Sequence, residues 1–122
     1  DLLLQYECLL KAGIATKLQG SRVHTEKSFF QNAISACPNR PEAYLFLADT
    51  FNKMNQHHNS FLMMCLAEQF DSPHLKKLKT QIPYCGTFEI KLKKLFYAQK
   101  CGMTVFQKDF KFLNNITLKI NL

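Results

Sequence analysis

The stretch from residue 41 to residue 70 constrains the fold most, because its apolar residues recur with the period of an α-helix. In its first half they lie at positions i, i+3, i+4 and i+7, which places them on one helix face. These residues are Tyr44, Leu47, Ala48 and Phe51. Pro41 suits a first helical turn, and Asn39 is predicted to cap the helix.

A second helix is predicted directly after the first. The polar stretch NKMNQHHNS interrupts the apolar pattern and predicts a turn around His57 and His58. The apolar stretch FLMMCLAEQF follows, and Asn59 or Ser60 is predicted to cap it. Because two helices joined by a short turn pack antiparallel, residues 41–73 are predicted to form a helical hairpin.

The preceding residues repeat the same plan. A leucine-rich helix is predicted over about residues 2–18, followed by a turn at Gly20 and Ser21. A second helix is predicted over about residues 25–37 and ends at Pro38, which cannot continue the backbone hydrogen bonds. Two consecutive hairpins of about 34 residues each are the signature of a helical repeat.

These two hairpins resemble tetratricopeptide repeats, best over residues 41–73 and in part over about residues 7–40. The better repeat matches at Tyr44, Leu47, Ala48, Phe51, Ser60 and Ala67, and the earlier one at Leu9, Ala12, Gly13, Phe30, Ala33 and Pro38. Small residues in this pattern let helices approach, and aromatic residues fill the spaces between them. Asn55 stands where the family has a turn glycine. The resemblance implies an all-α fold of antiparallel helical hairpins in a short right-handed solenoid.

One helical-repeat domain is expected over residues 1–122. Its parts are a first hairpin over 1–40, a second over 41–73, and an irregular third hairpin or cap over 74–122. Within the third part, HLKKLKTQIPYCG permits one short helix, and TFEIKLKKLFYAQKCG predicts a longer one.

The last residues, after about residue 104, can be interpreted in two ways. Phe106, Phe110 and Leu113 have helical spacing and suit a helix that completes the third hairpin. The later alternation of apolar and mostly polar residues suits a β-hairpin. The sequence leaves both alternatives open.

The tetratricopeptide resemblance implies that a peptide or partner protein binds in the concave groove lined by the first helix of each hairpin. The groove candidates are Leu10, Ile14 and Lys17 in the first repeat and Glu42, Leu45, Asp49, Asn52 and Lys53 in the second. Ile14 and Phe46 stand where the carboxylate-clamp subclass has asparagine, so no such clamp is expected. The resemblance implies a non-catalytic scaffold or adaptor segment, in a larger protein or as a subunit of a hetero-complex.

Lysine residues give the chain a net charge of +7, and many of them lie between residues 76 and 100. The predicted basic patch comprises Lys76, Lys77, Lys79, Lys91, Lys93 and Lys94. Such a patch favours an acidic protein surface or a phosphate backbone. The alternative function is therefore a nucleic-acid-binding module in which Phe88, Phe96 and Tyr97 offer stacking surfaces.

The sequence gives no sign of catalysis. It has no GxSxG, P-loop, GxGxxG or HExxH motif, so no enzymatic activity, cofactor or metal site is expected. Its five cysteines are odd in number, widely spread and without a CxxC pair, and three of them (Cys8, Cys37 and Cys65) fall in apolar helical patterns. This favours a reducing compartment and an intracellular location, cytoplasmic or nuclear. No apolar stretch approaches the roughly 20 residues of a membrane span, and no basic leader precedes the first leucines.

Overall fold

The computed structural model describes residues 1–83 and 86–102, which contain five α-helices and no strand. The helices are α1 (Leu2–Gln19), α2 (Val23–Ala36), α3 (Glu42–Lys53), α4 (His57–Phe70) and α5 (Thr87–Lys100). Each helix packs on the next one along the chain. The prediction of an all-α helical solenoid is confirmed. The two alternatives for the chain after about residue 104 lie outside the described residues.

The close approach of α1 and α2 depends on Gly13. A Cβ atom at this position would lie 2.5 Å from a ring carbon of Phe30 on α2. Phe30 is fully buried and stacks on Phe46 of α3, with ring centroids 5.5 Å apart. One aromatic ring therefore fills the space that the glycine leaves and links three helices.

Helix α3 lies at the centre of the core, and nine of its twelve residues are buried because it contacts α2 on one side and α4 on another. The predicted apolar stripe is among them, with Tyr44 and Phe51 at its ends. Tyr44 also stacks on Phe70 of α4, with ring centroids 5.6 Å apart. The apolar period of the sequence thus identified the helix on which the rest of the fold is built.

The start of α4 differs from the prediction. His57 and His58 form its first turn and do not lie in the connecting turn. Ser60 is fully buried and does not cap the helix, because its hydroxyl donates a hydrogen bond to the Ala48 carbonyl of α3 at 2.7 Å. The connecting turn instead contains Asn55 at a φ of 59°. Asparagine tolerates this left-handed conformation better than most residues, so it replaces a turn glycine at little cost.

Two predictions at other helix ends were also wrong. Asn39 does not cap α3, because the helix begins one residue after Pro41 and no side chain caps it. The short helix that the sequence permits after α4 does not form within residues 71–83. There the Thr80 amide donates at 3.1 Å to the Glu7 carboxylate of α1 and not to a helical carbonyl. Residues 71–83 are called the return segment below.

Candidate protein-interaction site

The predicted groove along α1 and α3 is largely closed in this structure. Leu10, Leu45 and Glu42 are at most 5% exposed, so they belong to the core and do not face a partner. Ile14 packs against that core and is half-buried. The other predicted groove residues, Lys17, Asp49, Asn52 and Lys53, reach the surface but are engaged within the chain.

Asp49 of α3 contacts residues of both α1 and α5. Its carboxylate accepts a hydrogen bond from Lys93 of α5 at 2.6 Å and another from the Tyr97 hydroxyl. Lys17 of α1 lies 3.9 Å from the same carboxylate. Burial and the neighbouring Asp49 raise the pKa of Tyr97. Burial alone would lower the pKa of Lys93, but Asp49 and Glu89 raise it overall.

Lys53 lies one turn after Asp49 on α3 but contacts a different helix. Its ammonium group is 3.2 Å from the carboxylate of Glu26 on α2, which is 3% exposed. The Thr50 hydroxyl donates to the same carboxylate at 2.8 Å. This group of side chains fastens α2 to α3, so Lys53, like Asp49, is engaged in contacts between helices.

A third polar group fixes the start of α3 and surrounds the Glu42 carboxylate. The Tyr6 hydroxyl of α1 donates to this carboxylate at 2.9 Å and accepts the Ala43 amide at 3.0 Å. Arg40 donates to the same carboxylate from Nε at 3.1 Å and from Nη2 at 2.9 Å. Burial, and then the charge of Glu42, raise the pKa of Tyr6. The pKa of Arg40 is also raised, because its pairing with Glu42 outweighs the effect of burial.

The structure divides the predicted basic patch into two parts. On α5, Lys93 pairs with Asp49 and with Glu89, at 2.6 and 3.1 Å, and Lys94 pairs with Glu68 at 2.8 Å. Lys91 lies exposed on the same helix. Lys76, Lys77 and Lys79 lie exposed on the return segment, and none of them forms an ion pair with a described residue. Three exposed lysines of the predicted patch therefore lie together on the return segment.

The return segment is held on α1 by two polar contacts. The buried Glu7 carboxylate accepts the Thr80 amide, and Lys11 donates to the Gln81 carbonyl at 2.7 Å. Leu78 and Ile82 pack against the core. No residue of the segment is fully buried.

A cleft of about 430 Å³ remains between the return segment and the connection from α2 to α3. Arg40 and Glu42 line one wall, and residues of the return segment line the other. The sequence contains one signal for it, since Arg40 and Glu42 flank Pro41 as an oppositely charged pair at a predicted helix start. Nothing in the local pattern indicates that Tyr6, more than 30 residues earlier, contacts Glu42, or that Glu7 contacts the return segment.

The described residues include no group of three or more His, Cys, Asp or Glu side chains that could hold a metal ion. His57, conspicuous in the sequence, has its Nδ1 buried without a hydrogen-bond partner at the start of α4. No helix in residues 1–83 or 86–102 is long and apolar enough to span a membrane.

Comparison with known proteins agrees with a helical repeat. No curated protein and no solved structure shows a significant match to the chain. A family model described as "URB1, central HEAT repeat domain" matches residues 4–82, which is more than half of the chain and covers α1 to α4 and most of the return segment. The chain therefore belongs to this family of HEAT repeat domains.

Proposed function

We propose that the chain is a non-catalytic scaffold segment that holds another protein or peptide, within a larger protein or a multi-subunit complex. Helical repeats stack into extended surfaces that suit this task. The observation that carries the proposal is that the buried carboxylates accept hydrogen bonds from other parts of the chain. Among the described residues these are Glu7, Glu26 and Glu42, and each accepts hydrogen bonds from within the chain. They hold neighbouring segments of the fold together, which supports a structural use of these groups.

We also propose that the resemblance to tetratricopeptide repeats reflects how α3 and α4 pack. It is supported by the fit of α4 on α3, where Ala48 and Ala67 are fully buried and Ser60 donates across the interface. We propose that this pair uses tetratricopeptide-like packing of small residues within a HEAT-family chain. Such close packing makes a rigid support for a docking surface.

We further propose an intracellular location, cytoplasmic or nuclear. Cys8, Cys37, Cys65 and Cys101 are all free thiols. Burial raises the pKa of Cys37 and of Cys65, which keeps these thiols protonated and unreactive. Four unpaired cysteines are typical of proteins that work in a reducing compartment.

Isolation of the tagged chain from its own cells, followed by quantitative mass spectrometry, tests the scaffold proposal. A protein recovered in fixed stoichiometry with the chain supports it, provided that this protein is lost with the core variant Gly13→Leu. That variant introduces a side chain where a ring carbon of Phe30 would already lie 2.5 Å from a Cβ atom. Recovery of the chain alone, as a folded monomer, would contradict the proposal.

Nucleic-acid binding is the second candidate function, and the three exposed lysines of the return segment favour it. The pairing of Lys93 and Lys94 with acidic residues counts against it, since these lysines would have to leave their partners to reach phosphates. Phosphate contacts predict a steep loss of affinity with rising salt. A titration of single-stranded RNA at two salt concentrations measures this, and no binding at low salt would remove the candidate.

A further inference from the structure

The cleft beside the return segment is a concave feature that the helix packing leaves open. Its volume of about 430 Å³ is within the usual range for ligand pockets. Apolar side chains of the return segment line it, namely Leu75, Leu78 and Ile82. Leu78 and Ile82 also pack against the core, so this wall is attached to the helices and does not stand alone.

The charges around the cleft are not balanced. Its two acidic residues are engaged, since Glu42 accepts from Arg40 and Tyr6, and Asp71 accepts from the Thr87 hydroxyl. Of its three cations, Arg40 is paired with Glu42, but the two lysines are not paired in this way. Lys76 and Lys77 are exposed and form no ion pair with a described residue. The cleft therefore presents positive charge next to apolar side chains.

This combination fits one class of partner better than another. A nucleic acid needs a long track of cations for successive phosphates. Here Lys76 and Lys77 are adjacent in one short segment beside the cleft, while Lys93 and Lys94 of α5 are occupied by Asp49 and Glu68. A peptide with alternating acidic and apolar side chains would meet both the lysines and the apolar wall.

We propose that the cleft between Arg40 and the return segment is a docking site for an acidic–apolar peptide segment of a partner protein. The proposal rests on the scaffold function proposed above and specifies where and with what chemistry the partner binds. Lys76 and Lys77 contact the acidic side chains of the peptide, and Leu75 and Leu78 contact its apolar ones.

Fluorescence anisotropy of the full chain with a short labelled peptide of alternating Glu and Leu tests this. The matched probe has Gln in place of Glu. The wild-type chain is expected to bind the Glu peptide about tenfold more tightly than the Gln peptide. The double variant Lys76→Glu/Lys77→Glu is expected to lose this preference. The control variant Arg22→Glu/Lys27→Glu, with the same change in net charge but on residues that do not line the cleft, is expected to keep it.

Three outcomes would overturn the proposal. They are equal affinity for the two peptides, equal loss in the control variant, and tighter binding of a single-stranded RNA of the same length than of the Glu peptide. Circular dichroism checks that both variants keep the helical content of the wild type. If partner proteins still co-purify with Lys76→Glu/Lys77→Glu in unchanged amounts, this docking site is wrong while the scaffold function stands. If no protein co-purifies with the wild type either, the scaffold function fails as well.

Discussion

Helices α1 to α4 and the part of the chain after them are held in place by different means. Residues 2–70 contain most of the buried side chains, including three aromatic rings that stack across helices. In residues 71–102, by contrast, only Ile90, Tyr97 and Ala98 are buried among those that the structure describes. The later region buries fewer side chains, and polar contacts help to attach it, among them the hydrogen bonds to Glu7 and Asp49.

This difference separates stability from recognition. Buried apolar area supplies most of the folding free energy, so α1 to α4 form the rigid part of the molecule. Segments with few buried contacts open at lower free energy, and binding surfaces are often found in them. The return segment has this character and also carries three exposed lysines.

Truncation of an aromatic ring in each region should give the largest contrast. Phe30→Ala removes a fully buried ring and is expected to lower the free energy of unfolding by roughly 3–5 kcal/mol. Phe96→Ala on α5 removes a ring that is 48% exposed and is expected to cost about 1 kcal/mol. Urea unfolding of both variants measures this, and equal costs would contradict the division into two regions.

Removal of a charge from an ion pair in each region gives the next contrast. Glu42→Gln leaves the buried Arg40 without its counter-charge and is expected to cost about 3 kcal/mol. Glu68→Gln breaks an exposed pair with Lys94 and is expected to cost about 0.5 kcal/mol. Thermal unfolding at neutral pH compares them. A tolerated Glu42→Gln would show that this network does not fix the start of α3.

The close contact between α1 and α2 can be tested with a single methyl group. Gly13→Ala places a Cβ atom against the buried Phe30 ring and is expected to cost about 2 kcal/mol, despite alanine's better helix propensity. Ala15→Gly, at an exposed position of the same helix, is the control and should cost about 1 kcal/mol through helix propensity alone. A stabilised Gly13→Ala would mean that the two helices are further apart than described.

Tyr6 and Tyr97, whose pKa values are raised by burial and by a neighbouring carboxylate, predict a loss of stability in alkali. A phenol whose pKa is higher in the folded state stabilises the fold fully below about pH 10, and this contribution is lost as the pH rises further. Each of Tyr6 and Tyr97 should contribute a fall of up to about 1.4 kcal/mol per pH unit there. Tyr6→Phe and Tyr97→Phe should each flatten the dependence between pH 10 and about pH 11. An unchanged slope in Tyr6→Phe would contradict its burial against Glu42.

The hairpin helices and α5 could be predicted because their information is local. The apolar stripe of Tyr44 to Phe51 and the spacing in TFEIKLKKLFYAQKCG both identify helices that the structure contains. The precise helix starts were less predictable. Ser60 looks like a cap in the sequence, but its hydroxyl is used by α3, twelve residues earlier.

The state of the predicted groove was not predictable from the sequence, because distant residues determine it. Asp49 is occupied by Lys93 and Tyr97, which lie 44 and 48 residues later. The return segment is fixed by Glu7, which lies 73 residues before Thr80. A periodic pattern shows which residues share a helix face, but it does not show which other segment covers that face.

Hydrogen exchange followed by mass spectrometry, with and without the Glu–Leu peptide, measures whether α1 to α4 are rigid and the return segment is the binding surface. We expect slow exchange in α1 to α4 in both conditions. We expect faster exchange in residues 71–83, which slows when the peptide binds. A return segment that is as protected as the helices without peptide, and unchanged with it, would show that this division of the molecule is wrong.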